Sequence, residues 1–232
     1  MIILLFMQIH TKYFSSCHTL LLRTRILCFY YNTFCIVRPS FAYTIFTMIQ
    51  MIRTGEYMKR SIGLWQFAGF AVTSLAGTLL HFLYDLLDKA TWIAPFSGVN
   101  ESTWEHMKLL FWPMFLYAIV QSFFFRDRKD FWCIKLRGIL LGLILIPILF
   151  YTYNGVIGKS PDWINIAIFF ISAAAAYIYE TRRFHSDQKR SKTSPKWSIA
   201  ILAVIALLFV IFTFATPEIG IFRDPLTGEY GI

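Results

Sequence analysis

From Leu64 onward the chain alternates between long uncharged runs and short polar or basic segments. The runs lie at about 64–87, 107–125, 138–157, 163–179 and 197–215. Each is close to the ~20 residues that a helix needs to cross a bilayer. The pattern predicts an all-α fold, a polytopic transmembrane helix bundle of about five spans. Short connections make neighbouring helices antiparallel, and Pro147 is expected to kink the third span.

The first run carries a second pattern. Gly69, Thr73, Gly77, His81 and Asp85 recur at every fourth position, with Ser74 and Thr78 beside them. Residues four apart share a helix face, with a slow drift over many turns. One side of this helix is therefore small and polar, and the other is Phe, Val and Leu. Small residues let helices approach closely in lipid, so the stripe is expected to face the bundle.

Lys and Arg orient the bundle, because cytoplasmic loops carry the excess. Counting from Lys59, thirteen basic residues fall on one side and four on the other. The larger group holds Lys59 and Arg60, the segment from Arg126 to Arg137, and the segment from Arg182 to Lys196. The smaller group is Lys89, Lys108, Lys159 and Arg223. This split puts the N-terminus of the bundle in the cytoplasm and the C-terminus outside. Tryptophan favours the head-group level, and all seven agree: Trp65, Trp132 and Trp197 at inner span ends, Trp92, Trp104, Trp112 and Trp163 at or near outer ones.

Composition strengthens this picture. The chain is 57% hydrophobic and 15% charged, against about 25% charged in soluble domains. The net charge of +9 sits in alternate loops, where it meets anionic membrane lipid. No nucleic-acid partner is implied. The four cysteines, Cys17, Cys28, Cys35 and Cys133, form no CxxC pair and have no histidine at finger spacing. A structural zinc site of that kind is not expected. A Cys17–Cys35 pair is open, but nothing requires it.

Residues 1–57 read as an irregular extension. Their apolar stretches are short and are interrupted by Arg23, Arg25 and Arg38. The apolar run also precedes the basic residues, the reverse of a signal peptide. Met58-Lys59-Arg60, directly before a good helix, is how a bacterial inner-membrane protein commonly begins. A mis-assigned start is one expectation for residues 1–57 and a genuine, weakly ordered extension is the other. Residues 58–232 form a single transmembrane domain.

Candidate chemistry gathers at the outer end. His81 and Asp85 close the first span, and an ionisable group inside a membrane is a functional candidate by default. The string Asn100-Glu101-Ser102-Thr103-Trp104-Glu105-His106 opens the second. Helix starting explains part of it: Asn100 can cap, with Val99 stapled onto Trp104, or Ser102 and Glu105 can form a capping box. It does not explain His106, nor two glutamates four apart, which repel unless a cation or Lys108 separates them. Tyr153, Asn154 and Asp162 fall on the same side. Two imidazoles with carboxylates suit a divalent metal such as zinc, or manganese, and they also suit proton-coupled binding. His81, Asp85 and His106 are the candidate metal ligands, and Glu101 and Glu105 the candidate catalytic carboxylates. The tail 219–232 contains the turn sequence Asp224-Pro225-Leu226-Thr227-Gly228. It is expected either to fold back over the helix ends or to fray.

The segments from Gly77 to Asp85 and from Phe96 to Lys108 resemble a family of small multi-pass membrane proteins from Gram-positive bacteria, known only as a domain of unknown function. The resemblance covers Met58 to the C-terminus, including the Asp-Pro-x-Thr-Gly-x-Tyr-Gly tail, and implies no activity. Three readings remain. The first is a metal-dependent membrane hydrolase acting on a lipid or cell-envelope substrate, with His81 and His106 on the metal and a glutamate as general base. The second is a small transporter or ion-binding protein, against which the inner half offers few buried polar groups. The third is a non-catalytic scaffold or sensor, in which Ser172 to Ala176 supports tight packing within a chain or in an oligomer. A multi-pass protein of the cell membrane is common to all three, and the substrate is open.

Overall fold

The computed structural model describes residues 56–158, 161–186 and 194–232. Five α-helices follow one another: α1 (Glu56–Leu86), α2 (Thr103–Ser122), α3 (Phe131–Val156), α4 (Asp162–His185) and α5 (Pro195–Phe214). A short 3-10 turn, Gly220–Phe222, follows them. The described residues contain no strand. The expectations for residues 1–57, a Cys17–Cys35 pair included, fall outside the described residues apart from the two that open α1.

Four helices are long and apolar enough to cross a membrane: α1, α3, α4 and α5. α2 differs. It packs against all four others and the 3-10 turn, and residues all round its first three turns are buried, from Thr103 to Met114, while Leu116 and Val120 beyond them are exposed. An enclosed helix needs no continuous apolar face, which is why α2 tolerates Glu105, Lys108 and Gln121 within its length. It starts at Thr103, one turn ahead of the apolar run. α3 passes through Pro147 without a break.

The stripe on α1 faces the bundle over most of its length. Thr73 is fully buried, Ser74 nearly so, and the Thr73 hydroxyl lies 2.8 Å from the Tyr177 hydroxyl of α4. A Cβ on Gly77 would lie 2.5 Å from the Phe169 ring, so only glycine permits this approach of α1 and α4. Leu75, Leu79, Phe82 and Leu86 are exposed on the other face. Fourfold spacing drifts about 40° per step on a helix of 3.6 residues per turn. By Asp85 the stripe has turned about 160° from Gly69, and Asp85 is exposed.

The alanine run of α4 is used within the chain: Ala173 and Ala176 are fully buried beside Leu110 and Leu143. Two tryptophans pack within the bundle. Trp112 is buried, and Trp104 stacks between Phe209 and Phe222 at 4.6 Å from each. Trp112 belongs to the core, and Trp104 is half-buried against it.

The tail folds back. Phe222 is buried and packs on Trp104 and Phe212. Asp224 forms a side-chain turn by accepting from the Leu226 amide at 2.7 Å, and an antiparallel bridge joins Arg223 to Tyr230. Tyr151 donates to the Gly220 carbonyl at 3.0 Å. The Asn100 amide donates to the Gly231 carbonyl at 3.0 Å.

Candidate metal centre

The loop between α1 and α2 is held from below by α2 itself. Lys108 Nζ donates to the Ala94 carbonyl at 2.8 Å, and Trp112 Nε1, one turn further on, donates to Pro95 at 2.9 Å. Ser97 is fully buried and donates to the Leu80 carbonyl. Residues 94–97 are thereby fastened to both helices.

The next residues meet the start of α2. Ser102 is the N-cap, and its hydroxyl accepts from the Glu105 amide. Asn100 Oδ1 accepts from the Ser102 amide at 3.0 Å. Glu105 does not reach back to Ser102 as a full capping box would. Its carboxylate takes the Val99 amide at 3.0 Å and Lys108 Nζ at 2.6 Å. Val99 packs with Tyr84 and Ile93 rather than stapling Trp104. Three residues around Glu101 are thus fixed by hydrogen bonds, and Glu101 is presented over α1.

Three of the five expected site residues converge there. His81, Glu101 and His106 bring one ligand-capable atom each within 4.8 Å of one another. His81 Nε2 lies 3.4 Å from Glu101 Oε1, and His106 Nε2 lies 3.6 Å from Glu101 Oε2. The two imidazole centroids are 5.8 Å apart. These separations are too long for charge-assisted hydrogen bonds, which close to about 2.7–2.9 Å. They leave room for a shared cation, since one ligand atom from each residue lies within 4.8 Å of the other two.

The orientation of His106 fits the same use. Its Nδ1 lies 2.9 Å from the Ser102 carbonyl. A carbonyl only accepts, so Nδ1 carries the hydrogen and the Nε2 lone pair points toward Glu101. Metal-ligating histidines are commonly held this way through the other ring nitrogen. Glu101 is about one-third exposed, which leaves an open approach to the cluster.

The other two candidates lie elsewhere. Asp85 is exposed and outside the converging group. Glu105 is buried and committed to Lys108, whose third contact is the Thr213 hydroxyl at 3.2 Å. Asn154 Nδ2 turns back onto the Phe150 carbonyl of its own helix. The i,i+3 spacing of Glu105 and Lys108 was the available signal for that pair.

A second polar cluster, in the opposite half, is not what the loop charges imply. Lys135 and Glu180, both fully buried, pair at 2.6 Å. The Lys135 ammonium stands 5.5–5.9 Å from the ring centroids of Tyr117, Phe131, Tyr177 and Phe184. A Cβ on Gly138 would overlap the Glu180 carboxylate. Gln66 and Gln121 are buried in the first turns of α1's apolar run and the last turn of α2. This half of the bundle therefore holds more buried polar groups than the loop pattern implies, and Lys135 is a core residue rather than a loop cation.

Among curated proteins and among solved structures, nothing matches this chain. A family model described as a family of unknown function, DUF6512, matches residues 55–232. Spanning well over half of the sequence, that match places the chain in this family of unknown function.

Proposed function

We propose that the protein is a multi-pass protein of the cell membrane that binds one divalent metal, zinc by its donor set, at the non-cytoplasmic end of the bundle. His81, Glu101 and His106 are its ligands. The observation that carries this reading is the convergence of His81, Glu101 and His106, each with one ligand-capable atom within 4.8 Å of the other two. Two imidazoles and one carboxylate are a donor set of catalytic zinc sites, which keep a fourth position for water. Metal-bound water is a nucleophile near neutral pH, so hydrolysis is the chemistry the site supports. Glu101 then acts as a ligand, and Glu105, tied to Lys108, as the residue that positions its loop.

The test is metal analysis of the full chain purified in detergent, for wild type and for His81→Ala, His106→Ala and Glu101→Gln. About one equivalent in wild type, lost in all three variants, is expected. A metal-free wild type whose variants keep its thermal stability would reduce the cluster to packing.

A transport reading is favoured by a different observation, the buried Lys135–Glu180 pair with Gln66 and Gln121 in the inner half. On that reading Glu180→Gln abolishes ion flux into vesicles and His81→Ala reduces it. Absence of any metal-ion or proton flux in wild type would remove it.

A further inference from the structure

We propose that the cleft beside His81 and His106 holds the acyl chain of a lipid, whose head group is then presented to the metal. The inference rests on the metal reading and names the substrate class for it. The cleft has a volume of about 210 Å³, roughly seven times the share of one water molecule. It lies between α1 and α4, with Thr78 and Phe82 on one wall, Ile166 and Phe170 on the other, and Leu109 of α2 at the back. α1 and α4 touch at Gly77–Phe169, which closes the far end.

The polar groups on this wall are few and placed at one end. The Thr78 hydroxyl donates to the Ser74 carbonyl at 2.9 Å, which leaves its oxygen as an acceptor only, beside the two imidazoles. A polar substrate would lose its hydration against these walls without replacement hydrogen bonds. A hydrocarbon chain loses nothing there and gains packing. The mouth also selects its occupant. Phe82 is 60% exposed and Ile166 58%. Phe82 continues the exposed apolar face formed by Leu75 and Leu79 on α1. Both α1 and α4 are long and apolar enough to cross a membrane, so the cleft is continuous with the surface that meets lipid tails. A chain can slide in sideways and bring its ester or phosphate region to the histidines at the wetter end.

The experiment uses the full chain in vesicles containing a phosphatidylglycerol that carries a diazirine on one acyl chain. After photolysis, labelled residues are mapped by peptide mass spectrometry, and bound metal is measured on the same samples. Label should concentrate on Phe82 and Ile166 over equally exposed positions such as Val204 and Leu207 on α5, and should reach the half-buried Phe170. Thr78→Trp and Ile166→Trp, filling the cleft from opposite walls, should each cut that label about tenfold, the loss of roughly two buried methylenes. Metal content and melting temperature should not change. Even labelling of all exposed apolar positions, or cleft labelling indifferent to both tryptophans, would overturn the lipid assignment and leave the metal standing. Concentrated label on a metal-free wild type would instead overturn the metal reading beneath it.

Discussion

Lys135→Met tests the buried ion pair between α3 and α4. Lys135 is 1% exposed and Glu180 0%, so neither charge is shared with solvent. Methionine keeps the length and apolar stem of lysine and stays among the four aromatic rings. What it removes is the ammonium, leaving Glu180 Oε2 without its 2.6 Å partner; Oε1 already has none. Breaking a buried pair from one side costs about 3–5 kcal/mol, because the remaining charge stays buried and uncompensated. For a chain of this size each kcal/mol moves the melting temperature by about 2–4 °C, so a fall of about 6–20 °C is expected. Replacing both partners by apolar residues of similar volume is often neutral or stabilising. Lys135→Met with Glu180→Leu should therefore recover most of the loss. The assay is thermal unfolding in detergent, followed by intrinsic tryptophan fluorescence for wild type, both single variants and the double. A single variant that melts with wild type would refute the claim that the pair is dry. A double variant no better than the worse single would show that the pair's partners, not its charges, hold α3 to α4.

Other expectations separate positioning from ligation at the opposite end. Glu105→Gln strands the buried Lys108 ammonium and should cost about 3–5 kcal/mol, while folded protein keeps its metal; metal loss at an unchanged melting temperature would make Glu105 a ligand. Ser102→Ala removes the N-cap of α2 and should cost about 1 kcal/mol, read as a lowered melting temperature. Asp85→Asn should leave bound metal unchanged by elemental analysis, and a lost equivalent would return Asp85 to the site.

The helices were legible because apolar runs of sufficient length admit few other structures. The faces were legible only in part. Fourfold spacing on α1 placed Thr73 and Gly77 toward the bundle, but the same drift that is negligible over one turn carried Asp85 out into the open. At the candidate metal centre, topology alone brought His81 and His106 to one end. It did not distinguish Glu101 from Glu105, because that choice depends on how the first turn of α2 is wound. Ser102 capping Glu105, and Lys108 one turn on, draw Glu105 inward and leave Glu101 over α1. Lys135 was misplaced for a physical reason: a cation near Arg137 and a basic loop reads as solvated until Glu180, 45 residues away on another helix, supplies its counter-charge. Pairings across helices leave no period in the chain.

Asn100 has one end of its amide in each of two structures. Its carbonyl oxygen orders the residues beside Glu101, and its nitrogen holds the C-terminal hairpin at Gly231. Energetic coupling between two such places is reciprocal. If an ion drawn in by the histidines steadies the last residues of the chain, then anything that grips those residues from outside must tighten the hold on the ion by the same factor.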